Sequence, residues 1–222
     1  MDIYPSLISS DLLNIKTTIN TLDQHCNGYH LDIMDNHFVP NLTWGPMFIN
    51  AIRNATKLPL HIHAMVTDPE AWLKTLKLNS SDTFIFHYES IDQNNHKKLV
   101  ENIHQHHWKA GIAIKPSTSV EYLFDILAYT DMVLLMSVEP GFSGQTFIPE
   151  TIKKIAPLIH MKQHNNFNFT IGMDGGINTT NIATLATQNI NNVAVASAIF
   201  DHQNPVTSLK ELYTCTMGTK AS

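Results

Sequence analysis

Residues 29–41, YHLDIMDNHFVPN, decide how this chain is read. The run opens with strict alternation: Tyr29, Leu31 and Ile33 against His30, Asp32 and Met34. A period of two puts each set on its own face of a strand spanning 29–34. Leu31 and Ile33 suit burial under a covering helix. A histidine, a carboxylate and a thioether then point together into an interior. A bare carboxylate there is costly unless it is paired or metal-bound, and His30 on the same face suggests a shared metal ion. Taken alone, such a pair more often marks an ordinary solvated strand end, so the reading depends on the rest of the chain.

Outward from this stretch, the same grammar repeats. Strands are predicted at 3–8 (ending at Ser9), 29–34, 58–63, 83–87, 109–114, 131–136, 167–173 and 193–196. Helical patterns follow each of them. Asp68-Pro69-Glu70 reads as a helix cap, first-turn proline and first-turn acid, and Ser117-Thr118 as the opening of another helix. VLLM at 133–136 is apolar throughout, as a strand buried on both faces should be. Eight strand–helix units in 222 residues point to α/β architecture, a single-domain (β/α)8 TIM barrel over 1–222 with a frayed tail at 214–222. A doubly wound open sheet is the alternative. The polar residues favour the barrel. Ser9, His30, Asp32, Met34, His61, His63, Met65, His87, Met136, Asp174 and Ser197 fall at strand ends along the whole chain, and a barrel gathers such residues around one mouth.

Composition bounds the function. Hydrophobic residues make up 43% of the chain, enough for a sizeable core. No run of eighteen apolar residues exists, so no membrane span is expected. The start, MDIYPSLISSD, lacks the basic and apolar regions of a secretory signal. A net charge of −5 with one arginine, Arg53, argues against a nucleic-acid surface. It also means that phosphate, if bound, is not held by an arginine cluster. Cys26 and Cys215 make no disulfide framework, so a reducing cytoplasm is expected. His104, His106 and His107 have loose metal-like spacing but read as a solvated helix end.

Three patterns carry chemistry. His30, Asp32, His63 and Asp174 can converge on one divalent ion, for which zinc, iron, manganese and cobalt all remain open. His61 shares a face with His63 and either competes as a ligand or supports one. Small-residue segments after the last three strands suit an anion held by backbone N–H groups: Gly141-Phe142-Ser143-Gly144, Gly175-Gly176 and Ala196-Ser197. Asp32 and Asp174 would flank a bound ligand. One would remove a proton from a carbon acidified by a neighbouring metal-polarised carbonyl, and the other would return one to the opposite face, inverting that carbon. Met34, Met65 and Met136 would line the site with polarizable, largely nonpolar surface.

Six segments together resemble the ribulose-phosphate 3-epimerase family: PSLISSD (5–11), HLDIMDNHFVPN (30–41), HIHAM (61–65), LLMSVEPGFSGQTFIPE (134–150), MDGGIN (173–178) and ASAIF (196–200). The resemblance covers nearly the whole chain. It implies a barrel that interconverts D-ribulose 5-phosphate and D-xylulose 5-phosphate, a step of the pentose phosphate pathway, through a metal-stabilised enediolate. It further implies metal ligation by His30, Asp32, His63 and Asp174, an Asp32/Asp174 acid/base pair, and Ser9 as a substrate contact. Phosphate contacts are implied around Gly144, Gly176, Ala196 and Ser197, and a homo-oligomer is implied as well. The family usually has glycine at 36 and 196, aspartate at 61, leucine at 64 and asparagine at 115. This chain has Asn36, Ala196, His61, Ala64 and Lys115, with His61 and Lys115 expected to change charge near the mouth. Three other readings remain. The same chemistry on D-allulose 6-phosphate is the nearest. A phosphosugar decarboxylase is disfavoured, because such enzymes carry lysine where this chain has Met34. A non-catalytic metal- or phosphosugar-binding barrel is the third.

Overall fold

The computed structural model describes residues 1–217. The strands are β1 (Asp2–Pro5), β2 (Tyr29–Met34), β3 (Leu60–Met65), β4 (Thr83–His87), β5 (Lys109–Ile114), β6 (Met132–Met136), β7 (Thr170–Asp174) and β8 (Asn192–Val195). All pair in parallel with their sequence neighbours from β2 to β8, and β8 pairs with β1. A single bridge, Ser6 to His30, spans the remaining seam between β1 and β2. The result is a nearly closed (β/α)8 barrel. Its helices are α1 (Ile15–Leu22), α2 (Pro46–Ala55), α3 (Pro69–Leu73), α4 (Gln93–Gln105), α5 (Phe124–Leu127), α6 (Ile155–His164), α7 (Ile182–Ala186), α8 (Ser197–Phe200) and α9 (Pro205–Met217).

The two larger apolar regions follow from strand alternation. Outward-facing residues such as Leu31, Ile33, Ile62, Phe84, Phe86, Val133 and Leu135 pack under the helices in one continuous layer. Ile85, Ala113, Met132, Leu134 and Met136 fill a second cluster. From β2 to β4 the inward positions include His30, Asp32, His63 and His87, all buried. This polar sector is where the site forms.

Strands 29–34, 83–87 and 109–114 match the predicted bounds. Elsewhere local chemistry moves the ends. The first strand ends at Pro5, the extended Ser6 keeps a last bond to the Val195 carbonyl, and a 3-10 turn follows at Leu7–Ser9, rather than a strand running on to Ile8. The third starts at Leu60, past Pro59, which has no N–H for the ladder. The seventh starts at Thr170, because the Phe167 N–H is taken by the Lys162 carbonyl at the end of α6. Ser117-Thr118 do not open the next helix: Ser119 precedes a 3-10 turn (Val120–Leu123) before the short α5, and the Thr118 hydroxyl is drawn away to Glu89. Asp68 caps α3 as expected, accepting from the Ala71 N–H at 3.1 Å. Residues 214–217 continue α9 instead of fraying; the rest of the expected frayed tail, 218–222, lies outside the described residues. The three-histidine run is a solvated helix end as read: exposed His104 contacts exposed Asp131, and His106 stacks on Trp108.

Candidate active site

His30 and Asp32 project inward from β2, His63 from β3 and Asp174 from the end of β7. One donor atom from each lies within 4.8 Å of all the others. His30 Nε2 is 3.2 Å from Asp32 Oδ1 and 3.5 Å from Asp174 Oδ2. His63 Nδ1 is 3.1 Å and 3.5 Å from the same two oxygens. The register makes this possible, since Asp32 lies directly beside His63 in the β2–β3 ladder. Two imidazole nitrogens thus face two carboxylate oxygens across one small space. Among the described residues, His30 Nδ1 is buried without a hydrogen-bond partner, and the buried Nε2 has only the two carboxylate oxygens near it, in poor hydrogen-bond geometry. Burying such atoms unpaired is costly. A divalent metal ion fits this donor set: it gives His30 Nε2 a lone-pair acceptor and offsets both carboxylates. Without it, burial opposes charge on His30, but Asp32 and Asp174 outweigh it and raise its pKa to about 10. Burial likewise opposes charge on both aspartates, and the adjacent His30 nevertheless holds each below the usual carboxylate range.

Local contacts lock these side chains. The Ser6 hydroxyl donates to Asp32 Oδ2 at 2.5 Å. Thr43 donates to the Asp32 carbonyl and accepts from the Met34 N–H. Ser137, fully buried, donates through its hydroxyl to the carbonyls of Asp174 and Gly175, and its N–H also meets the Asp174 carbonyl. That clamp fixes the end of β7, and with it Asp174. None of Ser6, Thr43 or Ser137 was singled out from sequence. Ser6 had a signal: it is the last extended residue before the turn, at the true end of the first strand. Ser9 lies beyond it in the turn, outside the cleft lining.

Above the cluster opens a cleft of about 530 Å³. Asp32 and Asp174 reach it, as do Met34, Met65 and Met136. So do Gly141, Phe142, Ser143, Gly144, Gly175, Gly176, Ala196 and Ser197. Of the proposed contacts, only Ser9 and His63 are outside its lining; His63 sits beneath, fully buried. The glycines are geometrically required at two points. Gly175 has φ +116° and a Cβ there would lie 2.4 Å from Val138. Gly176 has φ +63° and a Cβ would lie 2.5 Å from the Phe147 backbone nitrogen. Ala196 has a negative φ, −107°, with ψ −93°, so this position is not left-handed. Asn36 has φ +60°, a conformation that asparagine tolerates better than most side chains.

Of the two expectations about charge near the mouth, the one for His61 changes. His61 is not at the mouth. It sits beside His30 in the ladder, toward the base of the barrel, stacked on Tyr4 with ring centroids 3.8 Å apart. Burial, followed by the neighbouring His30, pushes its pKa well down, so it adds no charge there. It is absent from the converging donor set, in which His63 is the β3 histidine. Lys115 is near the mouth, with its ammonium 4.5 Å from the Phe38 ring centroid. The single arginine is engaged elsewhere: Arg53 is buried, pairs with Asp82 at 2.5 Å, and donates to the Thr56 and Leu58 carbonyls.

A parallel barrel with a metal-ready, two-carboxylate cleft at the C-terminal ends of its strands defines a barrel enzyme working at its usual face. Comparison with known proteins narrows the class. The "Ribulose-phosphate 3 epimerase family" profile matches residues 2–200. The ribulose-phosphate 3-epimerase of Synechocystis is 34% identical over 204 residues, covering 91% of this chain and 88% of that protein. The Escherichia coli protein of the same name is 33% identical, covering 90% and 88%. Among solved structures, KGPDC from Streptococcus mutans in complex with D-R5P aligns with TM-score 0.73 at 12% identity, covering 99% of each chain. The 3-hexulose-6-phosphate synthase from Salmonella typhimurium aligns at 0.66 and 13%, covering 99% of this chain and all of that one. These two share the fold. The chain belongs to the ribulose-phosphate 3-epimerase family.

Proposed function

We propose that this protein is a metal-dependent epimerase that inverts C3 of D-ribulose 5-phosphate to give D-xylulose 5-phosphate in the pentose phosphate pathway. The observation that carries the reading is the pair Asp32 and Asp174. They stand on β2 and β7, both reach one cleft, and both contact the same two imidazoles. His30, His63, Asp32 and Asp174 would hold one divalent ion (zinc, iron, manganese or cobalt), which when bound polarises the substrate C2 carbonyl and stabilises the enediolate oxygens. One aspartate takes the C3 proton, and the C–H electron pair becomes the C2–C3 double bond as the carbonyl oxygen gains charge. The other aspartate, entering protonated, delivers its proton to the opposite face of C3, and the carbonyl re-forms. Each turnover exchanges the protonation states of the pair, so each epimer meets the form it needs.

Ser6 orients Asp32, and Ser137 orients Asp174 through the backbone. Met34 and Met65, adjacent in the β2–β3 ladder, and Met136, beside Asp174, cover the reacting carbons with nonpolar surface that keeps bulk water from the intermediate. The phosphate would rest on the backbone around Gly144, Gly176, Ala196 and Ser197, with Ser6 rather than Ser9 closest to the reacting end. Among the described residues, no helix is long and apolar enough to cross a membrane. A cytoplasmic homo-oligomer with free Cys26 and Cys215 suits the reading.

The test is solvent-deuterium incorporation at C3. Metal-replete protein in D2O is given D-ribulose 5-phosphate and, separately, D-allulose 6-phosphate. Label and epimer from the pentulose support the proposal. Preference for the hexulose keeps the chemistry and changes the substrate. Absence of label from both, with metal bound, sinks the epimerase reading.

A further inference from the structure

Behind His63 runs a chain of contacts that the epimerase reaction does not by itself require. His63 Nε2 lies 2.8 Å from His87 Nε2, and both rings are fully buried. His87 Nδ1 lies 3.2 Å from Glu89 Oε2. The other oxygen, Oε1, accepts from the Lys115 N–H at 2.8 Å and from the Thr118 hydroxyl. Lys154 anchors the same corner, donating to the carbonyls of Lys115 and Thr118. The Phe38 ring, 4.9 Å from His87, closes the outer side.

We propose that Glu89 and His87 are positioning residues which impose on His63 the one tautomer able to hold the metal ion. The inference rests on the metal-site reading above. A carboxylate offers lone pairs only, so the nitrogen facing it must donate. His87 therefore carries its proton on Nδ1 and presents a bare Nε2. Two ring nitrogens 2.8 Å apart share a single proton, which then belongs to His63 Nε2. With a metal ion between His63 and the carboxylates of Asp32 and Asp174, His63 Nδ1 then offers that ion a lone pair; without the ion, the same rule has Nδ1 donate to Asp32. Such partners fix the ring and tautomer of a metal-binding histidine. His30 has no equivalent, since its second nitrogen meets no partner among the described residues.

Glu89→Gln preserves shape and reverses the logic. The Lys115 N–H and the Thr118 hydroxyl hold the new carbonyl oxygen at the Oε1 position. The amide NH2 then faces His87 Nδ1, which must accept. His87 becomes protonated on Nε2 and donates to His63, whose own proton moves to Nδ1 and blocks the ligand position. Zn2+ affinity of the full chain, measured by competition with a chromophoric chelator, should fall by about 10- to 100-fold in E89Q. The double variant E89Q/H87Q should regain most of that loss, because the glutamine amide introduced at position 87 can turn its oxygen to His63. In the Zn2+-loaded wild type, imidazole 15N–1H correlation should show His63 protonated at Nε2. Protonation at Nδ1 would overturn the inference even if E89Q failed to fold. So would E89Q affinity within twofold of wild type, or a double variant no better than E89Q. Wild type that binds no Zn2+ would remove the metal-site reading and this inference with it.

Discussion

Replacing Asp174 or Asp32 by asparagine tests the mechanism most directly. Each change keeps shape and removes one proton-transfer group. Asp32 Oδ1 is 3.1–3.2 Å from the two imidazoles, and Asp174 Oδ2 is 3.5 Å from both. At equal dielectric, Coulomb attraction scales inversely with distance, so the two carboxylates differ by only about a tenth in their pull on a cation between them. Either variant keeps one full charge at the site, and saturating metal should load it. Loss of a positioned acid or base costs about 10²- to 10⁴-fold in rate, or about 2.7–5.5 kcal/mol in the barrier. Epimerisation should fall by at least that amount in both variants. Label exchange separates them further. The remaining aspartate can remove and return a proton on its own face alone, so each variant should exchange C3 hydrogen of one epimer without inverting it. The two variants should show opposite epimer preferences. The assay follows deuterium at C3 by NMR, starting from each epimer, with metal occupancy measured in the same samples. A metal-loaded variant that exchanges both epimers, or epimerises within tenfold of wild type, refutes the two-aspartate mechanism.

Other outcomes follow from the same geometry. Arg53→Met strands the fully buried Asp82 carboxylate, so stability should drop by about 3–5 kcal/mol in urea titration. An unchanged midpoint would mean that the N–H groups of Leu60 and Asn79 satisfy Asp82 unaided. Gly176→Ala imposes a side chain at φ +63° against the Phe147 backbone, a conformation that itself costs an L-residue about 1–2 kcal/mol. Its KM for the sugar phosphate should rise about tenfold with little change in kcat; an unchanged KM would place the phosphate elsewhere. In metal-free protein the His30 pKa is raised from 6.5 to about 10. Its stabilising contribution is therefore complete below about pH 6.5 and disappears as pH rises through about 10. The melting temperature of the chelator-treated protein should decline across that window, and a flat profile would contradict the ion-pair geometry.

The sequence by itself determined the eight-strand plan, the inward face of 29–34 and the residues that can bind metal, because each rests on local periodicity or residue chemistry. Asp68 as a cap and the solvated histidine run were legible for the same reason. What sequence left open was decided by register and by competition for backbone groups. His61 and His63 are equivalent under period-two alternation. Only the pairing of Asp32 with His63 and of His30 with His61 raises one to the cluster and leaves the other at the base against Tyr4. Ser6 and Ser9 are both serines near the end of a strand. The turn that begins at Leu7 leaves Ser6 on Asp32 and carries Ser9 past the cleft. The clamp of Ser137 on Asp174 and the contact of Glu89 with Thr118 join residues 37 and 29 positions apart. Neither leaves a periodic trace, because each joins residues at or just beyond the C-terminal ends of two paired strands, β6 with β7 and β4 with β5, across an intervening helical segment.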